Sequence, residues 1–302
     1  MGSIRSHTSG GQLAFHLTAV VIVAIWGLTF ISTKLLIGQG LTPQEIFVLR
    51  FLVAYVGIWF LSGRKLWADT WRDELWLVLG GVTGGSFYFL TENTALEYTL
   101  ATNVSFLVCT TPLMTTLLSL VLYKKERATR PLIGGSLVAL AGVALVVCNG
   151  HFVLRLSPVG DLLSLLASLS WAFYSLIMRR MADRYEVTFI TRKIFFYGLL
   201  TILPAFLVRP WQFEVTRLLD TSVLCHLLFL GVLASLVCFA VWNVVLKRLG
   251  TVRASNYIYL NPVFTLIGSA IVLGERLTPM AWAGVLLILS GVYWAGKGRE
   301  RS

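Results

Sequence analysis

The sequence predicts an all-α integral membrane protein: ten transmembrane helices arranged as two inverted five-helix repeats, with both termini cytoplasmic. Three observations predict it. Apolar stretches recur from residue 13 to residue 296, each able to cover a bilayer core, which takes about 20 helical residues. Lys and Arg gather in alternate loops, and the second half of the chain repeats landmarks of the first. Composition agrees. Of 302 residues, 57% are hydrophobic and 13% charged, where a soluble domain carries about 25% charged residues. Mean hydropathy is +0.79.

The first span is read at 13–37. It has no small-residue cleavage site after it, so it is expected to remain as a helix rather than leave as a signal peptide. The following spans are read at 43–62, 75–97, 99–122 and 131–149. The second set is 158–181, 187–208, 221–247, 252–274 and 278–296. Residues 1–12 and 297–302 are tails, and the repeats occupy 13–150 and 151–296. The start, MGSIRS, fits an acylation pattern, but ten spans already anchor the chain.

Orientation follows from the loop cations. With the N-terminus inside, the inside segments hold 17 of the 25 basic residues. The outside loops hold four: Arg155, Arg209, Arg217 and Arg276. The net charge of +11 therefore reflects clusters between apolar segments, and nucleic acid is not an expected partner. Cys109, Cys148, Cys225 and Cys238 all fall in apolar segments without metal-ligand or disulfide spacing, so neither a cofactor nor a metal is expected.

The halves align. "LYKKERATRPLIGGSLVALAGV" (122–143) matches "LGERLTPMAWAGVLLILSGV" (273–292), pairing Glu126 with Glu275, Arg127 with Arg276, Gly135 with Gly284, and Gly142 with Gly291. Asn93 pairs with Asn243, Pro112 with Pro262, Trp26 with Trp171, and Lys34 with Arg179. An odd number of spans per half inverts the second copy, a plan known from secondary transporters. "IWGLTFISTKLL", "VLRFLVA", "TPLMTTLLSLVLYKKERAT" and "LNPVFTLIGSAIVLGERLTP" resemble the landmarks of EamA-type proteins of the drug/metabolite transporter superfamily. The resemblance spans nearly the whole chain. It implies a multi-pass solute transporter of the inner membrane, often an exporter of amino acids or other small metabolites.

The chemistry is expected inside the bundle. Pro112 and Pro262 interrupt their spans and free the carbonyls of Val108 and Ile258. Matching interruptions point to a transport site, with the prolines as hinges. On span 3, Gly81, Gly85, Tyr88 and Glu92 share a side, and the glycines admit a close neighbour. Aromatic and amide residues suggest an aromatic-walled small-molecule cavity. They are Trp26, Phe30, Tyr88, Asn93, Asn103, Phe106, Trp171, Tyr174, Trp242, Asn243, Asn256 and Tyr259.

Ionisable residues within spans are rare and usually face a partner or a cavity. Lys34 is expected to snorkel, and Arg50 to find a partner on another helix. Arg192 and Lys193 are expected to meet lipid headgroups. Glu97 is expected to face a loop. Glu92 has no basic residue within a helical turn and no counterpart in the other half, where Trp242 stands. A buried carboxyl of this kind is a candidate for proton exchange or for binding an ammonium group.

No nucleotide-binding loop is present, so the expected function is secondary export by alternating access, driven by a solute or ion gradient. The expected partners are a small-molecule substrate, the lipid bilayer and, as a candidate coupling ion, the proton. Oligomeric state is open, and a monomer is compatible. The alternatives are a membrane-embedded sensor or scaffold and an intramembrane enzyme. The enzyme is disfavoured because no mid-span nucleophile–base pair or metal-ligand motif appears.

Overall fold

Within a bilayer every backbone amide needs a partner, and a helix supplies one inside its own segment. The computed structural model describes residues 9–122, 129–148, 157–273 and 278–297. Every element among the described residues is helical. Glu126, Arg127, Arg155, Glu275 and Arg276 lie outside the described residues, as do 1–8 and 298–302 of the expected tails.

The first half contains α1 (Ser9–Gly38), α2 (Pro43–Ile58), α3 (Trp71–Gly81), α4 (Phe87–Tyr98), α5 (Ala101–Val108), α6 (Thr111–Leu122) and α7 (Arg130–Cys148). The second contains α8 (Pro158–Ala182), α9 (Val187–Thr201), α10 (Ala205–Val208), α11 (Thr221–Leu228) and α12 (Cys238–Leu249). It closes with α13 (Thr251–Ser255), α14 (Asn261–Leu273) and α15 (Pro279–Lys297). Five helical runs are long and apolar enough to cross a membrane: Gln12–Gly38, Ala101–Leu122, Pro158–Ala182, Val187–Val208 and Thr221–Leu249. Arg130–Leu145 and Trp282–Ala295 are shorter apolar helices.

The helix interruptions come in matching pairs. A π-helical turn at Val82–Ser86 joins α3 to α4, with Gly85 outside helical space at φ −123° and ψ −106°. A second π-helical stretch, Phe229–Val237, joins α11 to α12. Helices α5 and α6 part at Cys109 and Thr110, just before Pro112. A 3₁₀ stretch, Asn256–Leu260, separates α13 from α14 just before Pro262. The sequence predicts the two proline breaks; the two π-helical breaks are new.

Small residues set the closest approaches. Gly135 lies against Gly291 and Ala295, and Gly142 against Gly284 and Ile288. The contacts run in opposite order along α7 and α15, so these two helices are antiparallel, as repeat mates in an inverted arrangement must be. A Cβ on Gly142 would sit 2.7 Å from the Gly284 carbonyl oxygen, so only a bare backbone fits. The expected close neighbour of span 3 is α9: Gly81 faces Tyr197 and Gly198, and a Cβ on Gly85 would lie 3.2 Å from the Gly198 Cα.

Polar contacts gather at the two ends. At one end, Glu45 accepts from the amides of Gln212 (2.6 Å) and Phe213 (2.7 Å). There too Arg209 pairs with Glu97 at 2.8 Å, so Glu97 is ion-paired rather than simply loop-facing. Lys34 does not just snorkel; its ammonium donates to the carbonyls of Leu96 and Thr99, capping the end of α4. At the other end, Arg184 pairs with Asp73 at 2.9 Å and Lys193 with Glu74. Arg192 donates to the carbonyls of Gly63 and Lys65. Both Arg192 and Lys193 are buried, which corrects the expectation that they meet headgroups. The loop after α2 supplies the carbonyls for Arg192 and lays Trp67 over Lys193, whose carboxylate partner, Glu74, stands on α3.

Replacing Gly142 by Ala forces a methyl into the α7–α15 contact, and overpacking of this kind costs about 1–3 kcal/mol. Gly142→Ala is expected to lower the thermal unfolding temperature of the purified protein. Gly38→Ala, whose Cβ would meet nothing within 4 Å, is expected to leave it unchanged. Equal behaviour of the two variants would contradict the close-packed contact.

Candidate functional site

Three of the four breaks, at Val108–Thr111, Phe229–Val237 and Asn256–Leu260, contribute to the wall of one central cavity of about 30 Å³. A water needs about 10–15 Å³, so the space holds roughly two waters. It is far smaller than a typical ligand pocket of ~300–1,000 Å³. Residues from both halves line it. Val108 and Ile258, whose carbonyls lose their usual donors to Pro112 and Pro262, both lie on its wall.

The interruptions are stabilised by donors from other elements. The Trp26 indole on α1 donates to the Ala234 carbonyl within the second π-helical stretch, at 3.1 Å. The Ser170 hydroxyl on α8 donates to the Thr83 carbonyl within the first, at 2.7 Å. The Cys109 thiol donates to the freed Ile258 carbonyl at 3.2 Å. Thr110 and Thr111 meet the Ser168 hydroxyl at 2.8 and 2.9 Å. Each donor reaches across from one half of the chain to the other.

Two opposite charges face the cavity. Glu92 is 5% exposed and accepts from the Tyr88 hydroxyl at 2.8 Å. Arg50 is 2% exposed; its Nε donates to the Ser235 hydroxyl at 2.8 Å. Its guanidinium carbon lies 4.4 Å from the centroid of the Phe89 ring, a cation–π geometry. Among the described residues, Arg50 and Glu92 make no ion pair within 4 Å, so a gap separates them. The sequence singles out Glu92 for the site and leads one to expect for Arg50 only a partner on another helix, which Ser235 supplies. The available signal was a cation and an anion on consecutive spans, each lacking a partner on its own helix.

Of the residues expected to form the site, Trp26, Phe30, Tyr88, Glu92 and Trp171 line this cavity. The aromatic wall is continuous: Trp26 meets Trp171 edge-on at 5.4 Å, and Tyr88 lies 4.8 Å from Trp171. Trp242 and Tyr174 stand behind it, 5.0 Å from Trp26 and 4.9 Å from Trp171.

The amides do not line this cavity, and three of them make contacts elsewhere. Asn93 donates to the Pro43 carbonyl at the start of α2, at 3.2 Å. Asn243 donates to Thr191 on α9, at 2.9 Å, and accepts from Tyr174. The repeat pattern of these two amides therefore holds, as a pair of braces from one span to its neighbour. Asn103 donates to Thr99 at 3.1 Å. Phe106 packs against the main apolar core, of which the fully buried Tyr259 is part. Asn256 lines a separate groove beside His16 and Tyr257. Pro112 and Pro262 sit directly after their breaks.

Comparisons with known proteins agree with this architecture. An uncharacterized transporter from Archaeoglobus fulgidus is 28% identical, over 92% of this chain and 96% of its own. A protein from Salmonella typhimurium named "Probable amino-acid metabolite efflux pump" is 28% identical, over 91% of this chain and 92% of its own. A solved crystal structure superposes with a TM-score of 0.73 over 96% of this chain and 99% of that one; at 19% identity it shows the shared fold. The model of the EamA-like transporter family matches residues 13–148 and 158–296. This multi-pass membrane chain belongs to the EamA-like transporter family.

Proposed function

We propose that the chain is a secondary exporter of amino acids or closely related amphipathic metabolites. It alternates access between two inverted five-helix repeats, 13–150 and 151–296, in the inner membrane. The observation that carries this reading is the central cavity with Arg50 on one side and Glu92 on another, separated by a gap. A guanidinium receives a carboxylate through paired N–H donors, and a carboxylate receives an ammonium. An amino-acid zwitterion carries both groups on one carbon, and its side chain would meet Trp26, Phe30, Tyr88 and Trp171. The name of the Salmonella relative supports this substrate class.

Ten crossings, with both termini inside, are supported by the polar contacts at the ends. Glu45, Glu97, Arg209 and Gln212, all expected outside or beside outside loops, meet at one end. Asp73, Glu74, Arg184 and Lys193 meet at the other. Pro112 and Pro262 are the hinges of this reading. The cavity must widen to admit substrate, and the proline-broken helices are where a span bends at least cost. Glu92 is the group through which protons couple. One copy of the chain contains every element required.

The test is uptake into proteoliposomes of an amino acid, its decarboxylated amine and its deaminated acid. The amino acid is expected to be the preferred solute. Arg50→Gln is expected to lower its transport by about 10- to 100-fold, the equivalent of a charged hydrogen bond of ~1.5–3 kcal/mol. The variant is expected to erase the preference for the amino acid over the amine. Glu92→Gln is expected to flatten the pH profile; an unchanged profile would remove Glu92 from coupling. Orientation is checked with single cysteines. Thr216→Cys is expected to react with an impermeant maleimide in intact cells, and Ser62→Cys only after permeabilisation.

A further inference from the structure

A second charged feature lies at the membrane–water boundary, away from the central cavity. Arg72 near the start of α3 and Arg180 and Arg184 at the end of α8 surround a groove of about 640 Å³. Its apolar wall includes Leu75 and Leu79 on α3, which are 50% and 40% exposed. Arg180 lies 4.8 Å from the Trp76 ring centroid and Arg72 5.7 Å from that of Trp71. Stacked this way, a guanidinium still presents its N–H edge. Neither Arg72 nor Arg180 has a carboxylate within 4 Å among the described residues.

Asp73 is the acid in the groove, and it is already engaged by Arg184 and by the Tyr185 hydroxyl at 3.0 Å. Burial pushes its carboxyl up, but hydrogen bonds from Tyr185 and Thr70 and the charge of Arg184 hold it below the usual carboxylate range. It therefore stays ionised and offsets one cation, leaving a net positive groove.

The inverted repeat provides an internal control. Thr70 and Asp220 cap α3 and α11 at the same spacing that relates Asn93 to Asn243, so Arg72 corresponds to Ser222. The spacing that relates Trp26 to Trp171 makes Leu35 and Gln39 the counterparts of Arg180 and Arg184. In that copy Gln39 donates to Ser222 at 3.0 Å, a neutral contact across the equivalent groove. The other copy has Ser222 and Leu35 where Arg72 and Arg180 stand, and its one nearby cation, Arg217, is taken up by the Gln39 carbonyl.

We propose that this groove binds an anionic phospholipid, its phosphate received by Arg72 and Arg180 and an acyl chain laid along Leu75 and Leu79. Basic recesses between spans, with an apolar floor open to the bilayer, match such a headgroup and chain together. The site is independent of the amino-acid reading and needs only that the chain sits in a membrane.

The test titrates delipidated, full-length protein in neutral detergent with phosphatidylglycerol, phosphatidylcholine or inorganic phosphate, and follows thermal unfolding. Phosphatidylglycerol is expected to raise the unfolding temperature by several degrees, with phosphatidylcholine and inorganic phosphate inactive at the same concentration. Arg72→Gln with Arg180→Gln is expected to lose more than half of that shift. Arg64→Gln, on the loop outside the groove, is expected to keep it. Arg180→Gln alone leaves the Asp73–Arg184 pair intact and keeps the test readable if the double variant does not fold. An undiminished shift in the groove variants would overturn the proposal. So would an equal shift with phosphatidylcholine, and an equal shift with inorganic phosphate would make this a free-anion site instead.

Discussion

The structure depends on satisfying backbone groups where helices break at membrane depth. An unpaired amide or carbonyl there costs several kcal/mol, yet α3–α4, α5–α6, α11–α12 and α13–α14 are all interrupted. The partners come from the opposite half. Trp26 serves Ala234, Ser170 serves Thr83, and Cys109 serves Ile258. Each half carries donors for the breaks of the other, so neither can complete its own interior alone. Ala234 and Ile258, two of the carbonyls served in this way, lie on the cavity wall, which places irregular backbone beside a polar space.

The same arrangement makes two buried charges tolerable. An isolated ion in a low-dielectric interior is strongly penalised, and removing one partner of a buried pair leaves the other stranded. Arg50 is held by Ser235 and the face of Phe89, and Glu92 by Tyr88. These neighbours fix the two groups on the wall without pulling them into one ion pair. A preorganised gap between opposite charges favours a ligand that brings both complements at once, because each site charge then gains a partner on binding. The contracted volume fits an occluded state in which the aromatic wall has closed over the gap.

The all-helical, multi-pass class and the repeat were legible in the sequence, because hydropathy and repeated landmarks are properties of single segments. The proline breaks and the glycine side of span 3 follow from local backbone chemistry. The candidate site was legible only in part. Glu92 stood out as a carboxyl costly to leave in lipid, Tyr88 as its neighbour on the same side, and Trp26 and Trp171 as aromatics paired across the repeat. Arg50 did not, because its relation to Glu92 is set by how α2 and α4 pack. The amides misled for a related reason: a buried Asn needs a partner, and polarity alone does not say whether that is a ligand or the next helix. Arg192 and Lys193 misled because a loop distant in sequence covers them. The π-helical stretch at Phe229–Val237 carries no proline, and its helix looked continuous.

The central claim is that the space between Arg50 and Glu92 is where the transported solute binds. It is tested by substrate protection of a cysteine placed on that wall, Thr29→Cys, in a chain whose native cysteines other than Cys109 are replaced. Buried Cys109, which serves the Ile258 carbonyl, is retained, and the rate of reaction with a small thiol reagent, less that of the same chain with Thr29, is measured with and without the amino acid transported fastest. The amino acid is expected to slow labelling at the concentrations that saturate transport, and its amine and acid analogues to slow it far less. A labelling rate indifferent to every transported solute would contradict it.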